Sequence, residues 1–255
     1  MNSRYKTAAP PRDRELLEGI LVVDKPSGPT SHDIVDRVRK IFGIRKVGHG
    51  GTLDPMATGV LVLLLGRATR ASSLFLGSDK AYEGTMTLGV STDSHDAAGE
   101  VTREADFGDV TRERLEAVMH GFRGDTMQEP PMVSAIKKDG VPMYKRARKG
   151  QTVKREPRLI HIYEFSIRDF NPPHVDFVMR CTKGTYVRKA CDDVGEILGC
   201  GAHLSRLRRI ASGDVTIDDA VPVNDLINMS PEEVADRLLP VSRFAPGQRH
   251  PHHPS

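Results

Sequence analysis

The sequence predicts an α+β fold built on a mixed, largely antiparallel sheet flanked by helices. Three observations lead there. Strand-like apolar runs and amphipathic stretches of helical period both occur, but not in a regular βαβ alternation. Residues 82–90 alternate, with Tyr82, Gly84, Met86, Leu88 and Val90 on one face and Glu83, Thr85 and Thr87 on the other, the pattern of a half-buried strand. The chain has 255 residues, 38 % of them hydrophobic and 28 % charged, enough to bury a sizeable core.

Taken in order, residues 1–18 are polar and charged and are expected to be a disordered leader. Order should begin with the β-rich run Gly19-Ile20-Leu21-Val22-Val23, which ends in the turn Lys25-Pro26-Ser27-Gly28. Thr30 or Ser31 then caps a helix in which Ile34, Val35, Val38, Ile41 and Phe42 recur at helical spacing, with Gly43 as its C-cap. A glycine-rich loop covers residues 48–54, and residues 60–65, Val-Leu-Val-Leu-Leu-Leu between Gly59 and Gly66, form a buried strand. The alternating strand of residues 82–90 follows.

Residues 111–122 form an amphipathic helix that turns Leu115, Val118, Met119 and Phe122 inward. Residues 128–158 have little apolar periodicity and many charges, as functional excursions often do. Strands resume at 159–167 and 175–181. A last helix spans 186–198, with Val187, Ala190, Cys191, Val194 and Ile197 on its core face and Gly199 closing it. Residues 245–255 are expected to be a disordered tail. No internal repeat is visible.

Composition excludes several classes. The longest apolar run is far too short to span a bilayer, and the N-terminus lacks the apolar stretch of a signal peptide, so a cytoplasmic protein is expected. Cys181, Cys191 and Cys200 are odd in number and widely spaced, which fits buried thiols better than a disulfide framework or a zinc site. The net charge of +3 is modest, but basic residues cluster. Between 137 and 158 stand Lys137, Lys138, Lys145, Arg146, Arg148, Lys149, Lys154, Arg155 and Arg158 against only Asp139 and Glu156, a footprint suited to phosphates. Arg206, Arg208 and Arg209 form a smaller basic cluster. Asp93-Ser94-His95-Asp96 lacks a calcium-loop pattern and is expected to be a turn. His250, His252 and His253 lie in the tail, and no metal site is expected from them.

The loop Gly48-His49-Gly50-Gly51-Thr52-Leu53-Asp54-Pro55 is the most informative stretch. Its glycines let backbone approach a ligand, and Pro55 steers Asp54 away from helical geometry. Without a Gly-Lys-Ser/Thr ending or a following helix it is no phosphate cradle. Spacing alone leaves Asp54 equally good as a turn residue or as a reactive carboxylate.

The run from Gly48 through Asp54 to Gly59-Val60-Leu61 closely resembles the signature of the TruB family, the bacterial tRNA pseudouridine-55 synthases. Further matches follow in the family's order: residues 21–31, Ser78-Asp79-Lys80-Ala81-Tyr82, Phe122-Arg123-Gly124 with Ser134-Ala135-Ile136-Lys137, Tyr144 to Gly150, Lys183-Gly184-Thr185-Tyr186-Val187-Arg188, and residues 198–204. The resemblance runs from about residue 19 to 244. It implies a pseudouridine-synthase-like catalytic domain with an RNA-gripping insertion at about 128–158, and an isomerisation without metal or cofactor. The Asp matching Asp54 is the nucleophile and becomes covalently attached; attack on the sugar or on the base both remain open.

Arg188 would hold Asp54 charged and aimed. Tyr82 would stack on the flipped uracil, Tyr186 and Leu207 would line the pocket, and His49 would help open or hold the RNA loop. Lys25 and Pro26 would shape the wall nearby. Lys137, Lys138, Arg146, Arg148 and Lys149 would grip the T-arm of tRNA, and a monomer is expected. Bacterial members commonly carry a further C-terminal RNA-binding domain of the PUA type, for which too little sequence remains after residue 241. Two rivals stand beside this reading. One is a synthase for another RNA, such as the guide-RNA-dependent relatives, although the 48–51 loop and the 144–150 run look bacterial. The other is an RNA-binding module without useful catalysis, which would tolerate Asp54→Asn in its cellular role.

Overall fold

The computed structural model describes residues 17–131, 137–138, 141–142 and 155–244. Their elements are β1 (Gly19–Lys25), α1 (Ser31–Phe42), β2 (Val47–His49), β3 (Thr58–Leu65), α2 (Ser72–Leu76), β4 (Lys80–Leu88), β5 (Val90–Thr92), β6 (Val101–Glu104), α3 (Arg112–Gly121), β7 (Gly124–Gln128), β8 (Lys137–Lys138), β9 (Val141–Pro142), β10 (Arg158–Asn171), β11 (His174–Cys181), α4 (Val187–Leu198), β12 (Ala202–Ser212), β13 (Val215–Thr216), β14 (Val221–Pro222) and α5 (Pro231–Ala235), with short 3-10 turns between some of them. Among the described residues ten strands form one sheet in the order β14-β1-β3-β12-β4-β11-β10-β7, with β2 added on β3 and β13 on β12. The pairs β1–β14 and β3–β12 are parallel and the others antiparallel, so the expected α+β class and largely antiparallel sheet are observed.

The unbroken apolar run of β3 is explained by burial on both faces. Leu61, Leu63 and Leu65 join the main core, while Val60, Val62 and Leu64 join a second core with Ile20, Val22, Phe75 and Val215. Helix α1 begins where the sequence requires. The Thr30 hydroxyl accepts from Asp33 N–H while the Asp33 carboxylate accepts from Thr30, and Gly43 closes the helix at φ 62°. Helix α4 turns Val187, Ala190, Cys191 and Val194 into the main core, and the three cysteines are buried thiols.

The structure corrects four expectations. Order begins before Gly19: Leu17 is buried in the core and Glu18 pairs with Arg67 at 2.7 Å. The alternating strand ends at Leu88, because Gly89 takes φ 86° and Val90 starts β5, which pairs with β6 instead. Gly48 and His49 belong to β2 and not to the loop. Ile197 is 61 % exposed; it stands about 60° around α4 from the buried Val194, at the edge of the buried stripe, where the helical period alone did not separate it from the core face.

Candidate functional site

The loop from Gly50 to Ala57 is fixed from several directions at once. Gly50 N–H donates to Val62 O at 2.8 Å and Ala57 N–H to Asp54 O at 3.1 Å. The Ser31 hydroxyl, in the first turn of α1, accepts from Leu53 N–H and donates to Leu53 O. From β1, the Lys25 ammonium donates to Pro26 O and Pro55 O, and Gly28 N–H also reaches Pro55 O. From β12, Arg209 donates to Gly51 O, Thr52 O and Val60 O. The parallel pairing of β3 and β12 brings Gly59 so close that a Cβ there would lie 2.2 Å from Arg209 O, at φ 96°. Only glycine fits that contact.

Asp54 therefore projects from a rigid turn into a cleft of about 340 Å³, within the range of a small-ligand site. Arg188, in the first turn of α4, meets it there: Arg188 Nε lies 3.4 Å from Asp54 Oδ2. The same guanidinium lies 3.4 Å from Asp96 Oδ2 through Nη1, and both Arg188 and Asp96 are buried. The Asp54 side chain is 42 % exposed, open to the cleft it lines. Dehydration by the enclosing walls raises its pKa, Arg188 opposes that, Asp96 adds to it and Lys25 opposes it again. A substrate seated in the cleft would leave Arg188 as the group that keeps the carboxylate ionised.

The sheet register supplies the rest. Tyr82 on β4 stands opposite Arg209 on β12 and Met179 on β11, and its hydroxyl is bonded to Arg209. Burial pushes this phenol up to about 12, so it stays neutral. Tyr186 caps α4 with its backbone pinned by the buried Gln128 amide, which accepts from Tyr186 N–H at 2.8 Å and donates to Tyr186 O at 3.1 Å. Arg188 lies 5.9 Å from the centre of the Tyr186 ring. Leu207, opposite Gly84, completes an apolar wall and separates this cleft from a wider groove of about 840 Å³ lined by Met56, Glu83, Arg168 and Arg206.

Of the residues singled out in the sequence, Asp54, Tyr82, Tyr186, Arg188 and Leu207 line one cleft. His49 does not; it sits at the end of β2 with Nδ1 3.4 Å from Gly51 N, accepting at the loop's entrance, and burial lowers its pKa. Lys137 and Lys138 have their backbone in β8, paired with β9, and Arg146, Arg148 and Lys149 lie outside the described residues. The basic cluster at 206–209 is corrected: Arg209 is 2 % exposed, Arg208 makes a two-pronged pair with Asp24, and only Arg206 is exposed. Lys25 is fully buried behind the loop. Asp96, Lys80 and Arg209 were not recognised as site residues. Asp96 lies in the expected turn, where its partner 92 positions away leaves no local signature.

Comparison with known proteins identifies the family. Residues 39–187 match the TruB family pseudouridylate synthase N-terminal domain, and residues 188–244 match the tRNA pseudouridylate synthase B C-terminal domain. A tRNA pseudouridine synthase B of Opitutus terrae is 49 % identical over 233 residues, covering 91 % of this chain and 97 % of that protein. One from Syntrophotalea carbinolica is 46 % identical over 226 residues, covering 89 % and 74 %. Among solved structures, a Cbf5-Nop10-Gar1 complex contains a chain 29 % identical with a TM-score of 0.72, and the archaeal box H/ACA sRNP Nop10-Cbf5 complex one 28 % identical with a TM-score of 0.68. Each aligns with 92 % of this chain, which spans 64 % and 63 % of their respective lengths.

Proposed function

The chain belongs to the TruB family of pseudouridylate synthases, and from that premise we propose that it isomerises uridine 55 in the T-loop of tRNA to pseudouridine, with Asp54 as the nucleophile. The observation that carries this reading is the buried Arg188 guanidinium set against Asp54 in a cleft walled by Tyr82, Tyr186 and Leu207. A carboxylate must be ionised to attack either the sugar or the base, and Arg188 favours that form. In this reading Tyr82 stacks on the extruded uracil, Tyr186 and Leu207 confine it, and His49 steadies the loop at the cleft entrance. The uracil is released from its sugar, turns within the cleft, and is rejoined through carbon 5.

We assign the basic run that includes Lys137, Lys138, Arg146, Arg148 and Lys149 to the T-arm backbone, where neutralised phosphates would make binding fall steeply with salt. A cytoplasmic monomer is the expected form. No helix among the described residues is long and apolar enough to cross a membrane.

The test is release of the carbon-5 hydrogen from labelled uridine in a full tRNA transcript and in an isolated T-arm. Release from the transcript that disappears in Asp54→Asn, with RNA binding kept, is the expected result. No release from either RNA by folded protein would remove the synthase reading.

A further inference from the structure

The cleft holds more positive charge than its carboxylates balance. Asp54 and Asp96 share Arg188, but Lys80 and Arg209 line the same cleft. They are only 8 % and 2 % exposed, and among the described residues neither has a carboxylate within ion-pair distance. The Lys80 ammonium donates to Phe75 O, Ser78 O and Ser78 Oγ. Arg209 donates to three backbone carbonyls and is bonded to the Tyr82 hydroxyl. Burying two cations among neutral acceptors is unfavourable unless a further negative charge arrives.

Their placement says where that charge would be. Lys80 and Tyr82 share the inward face of β4, and Arg209 stands opposite Tyr82 on β12, so the cations flank the ring assigned to stack on the base. Both chemical routes put negative charge on the uracil. If Asp54 attacks C1′, its oxygen bonds to C1′ while the C1′–N1 bond breaks. The electron pair leaves with N1, and the ring carries it delocalised onto O2 and O4. If Asp54 adds to C6, the C5–C6 π pair shifts to give an enolate with charge on O4, and the C1′–N1 bond then breaks, its electron pair staying with N1 and the positive charge left at C1′ shared by the sugar ring oxygen. On rejoining, an electron pair from C5 forms the C5–C1′ bond, the aspartate leaves, C5 loses its proton to water and N1 gains one.

Resting on the proposed uridine isomerisation, we propose that Lys80 and Arg209 stabilise the negative charge on the uracil ring while it is detached from, or not yet rejoined to, its sugar. Their donors are already committed to the fold, so the charge is in place before the reaction and needs no rearrangement. Burial, reinforced by Arg209, brings Lys80 down to about 8, which leaves it protonated at neutral pH.

The experiment compares single-turnover consumption of tRNA transcripts carrying uridine or 5-fluorouridine at the target position, followed by nuclease digestion and mass spectrometry. Fluorine withdraws electrons and lowers the intrinsic cost of the base anion, so lost cation stabilisation matters less for the fluorinated base. Lys80→Met should slow uridine consumption about 100-fold and fluorouridine consumption about tenfold less than that, while Lys80→Arg returns to within about threefold of wild type. Affinity for tRNA should stay within about twofold. Equal slowing on both transcripts, or Lys80→Arg as slow as Lys80→Met, would overturn the proposal. If Lys80→Met loses its thermal transition, Lys80→Gln keeps a donor without the charge; a wild-type rate there would overturn it too, and the same base-selective defect would support it. Wild-type protein that consumes neither transcript would overturn both this proposal and the isomerisation beneath it.

Discussion

Replacing Arg188 by Met separates the arginine's electrostatic role from a purely positional one. Arg188 Nε and Asp54 Oδ2 are 3.4 Å apart. At an effective dielectric constant of about 20, unit charges at that separation attract by about 5 kcal/mol. The Asp54 side chain is 42 % exposed, so water screens part of this. Taking about half gives ~2.5 kcal/mol, approaching 100-fold in the ratio of ionised to protonated carboxylate. The sign follows from the groups present. Asp54 is already raised by the walls around it, and by Asp96 in addition, and Arg188 is the largest influence holding it down. Without Arg188 the carboxylate takes its proton at higher pH, and activity is lost sooner as pH falls. Single-turnover rates on tRNA between pH 5 and pH 8 should show the Arg188→Met deficit widest at pH 5 and narrowing toward pH 8. Breaking the buried Arg188–Asp96 pair alone costs roughly 3–5 kcal/mol, so the same profile is measured in Arg188→Met with Asp96→Asn, which leaves no unpaired buried charge at position 96. A deficit of constant size across the range, in both backgrounds, would refute the electrostatic role and leave Arg188 a positioning group.

Three further outcomes are expected. Gly59→Ala drives a Cβ to 2.2 Å from Arg209 O at φ 96° and should lower stability by roughly 2–4 kcal/mol in a thermal melt; an unchanged midpoint would mean that β3 and β12 are not packed as described. Gln128→Ala removes the amide that pins the Tyr186 backbone, and should cost about 1–3 kcal/mol of stability and lower the maximal rate more than tRNA affinity. Ile197→Ser should stay within about 0.5 kcal/mol of wild type while Val194→Ala, four-fifths of a turn away and fully buried, costs about 1–3 kcal/mol; comparable losses at the two positions would contradict the exposure of Ile197.

How much of this was legible in the sequence depends on the range of the interaction that decides each feature. Local signals were sufficient for α1, where Thr30, Asp33 and Gly43 write both ends into neighbouring residues, and for β3, whose unbroken apolar run reflects two buried faces. They failed at Ile197, because a period of 3.6 does not say how wide the buried stripe is, and at Val90, because Gly89 could sit inside a strand or end one. In the site, Asp54 and its loop were visible as a pattern, and the family resemblance supplied Arg188, Tyr82, Tyr186 and Leu207. Asp96 and Arg209 were not, for a common physical reason. Asp96 meets Arg188 across 92 positions and Arg209 meets Gly51 across 158, so their roles exist only after the sheet has formed. Arg209 was misread because its neighbours Arg206 and Arg208 made it part of a basic run, while strand alternation turned it to the opposite face.

That alternation also ties the fold to the chemistry. Arg209 joins the Asp54 loop to β12 through Gly51 and Thr52, and it bonds the hydroxyl of Tyr82, the ring assigned to the base. Its removal would loosen the loop that aims Asp54, free Tyr82 and subtract a charge in one step, so a rate loss in an Arg209 variant could not be apportioned among them. Lys80 is different. Its partners, Phe75 and Ser78, lie on the segment leading into β4 and not on the Asp54 loop, so its charge can be removed while the clamp on that loop is kept. The electrostatics of the cleft are therefore best questioned at Lys80 and its architecture at Arg209. A selective defect at Lys80 alongside a general collapse of activity and stability at Arg209 is the pattern this division of labour requires.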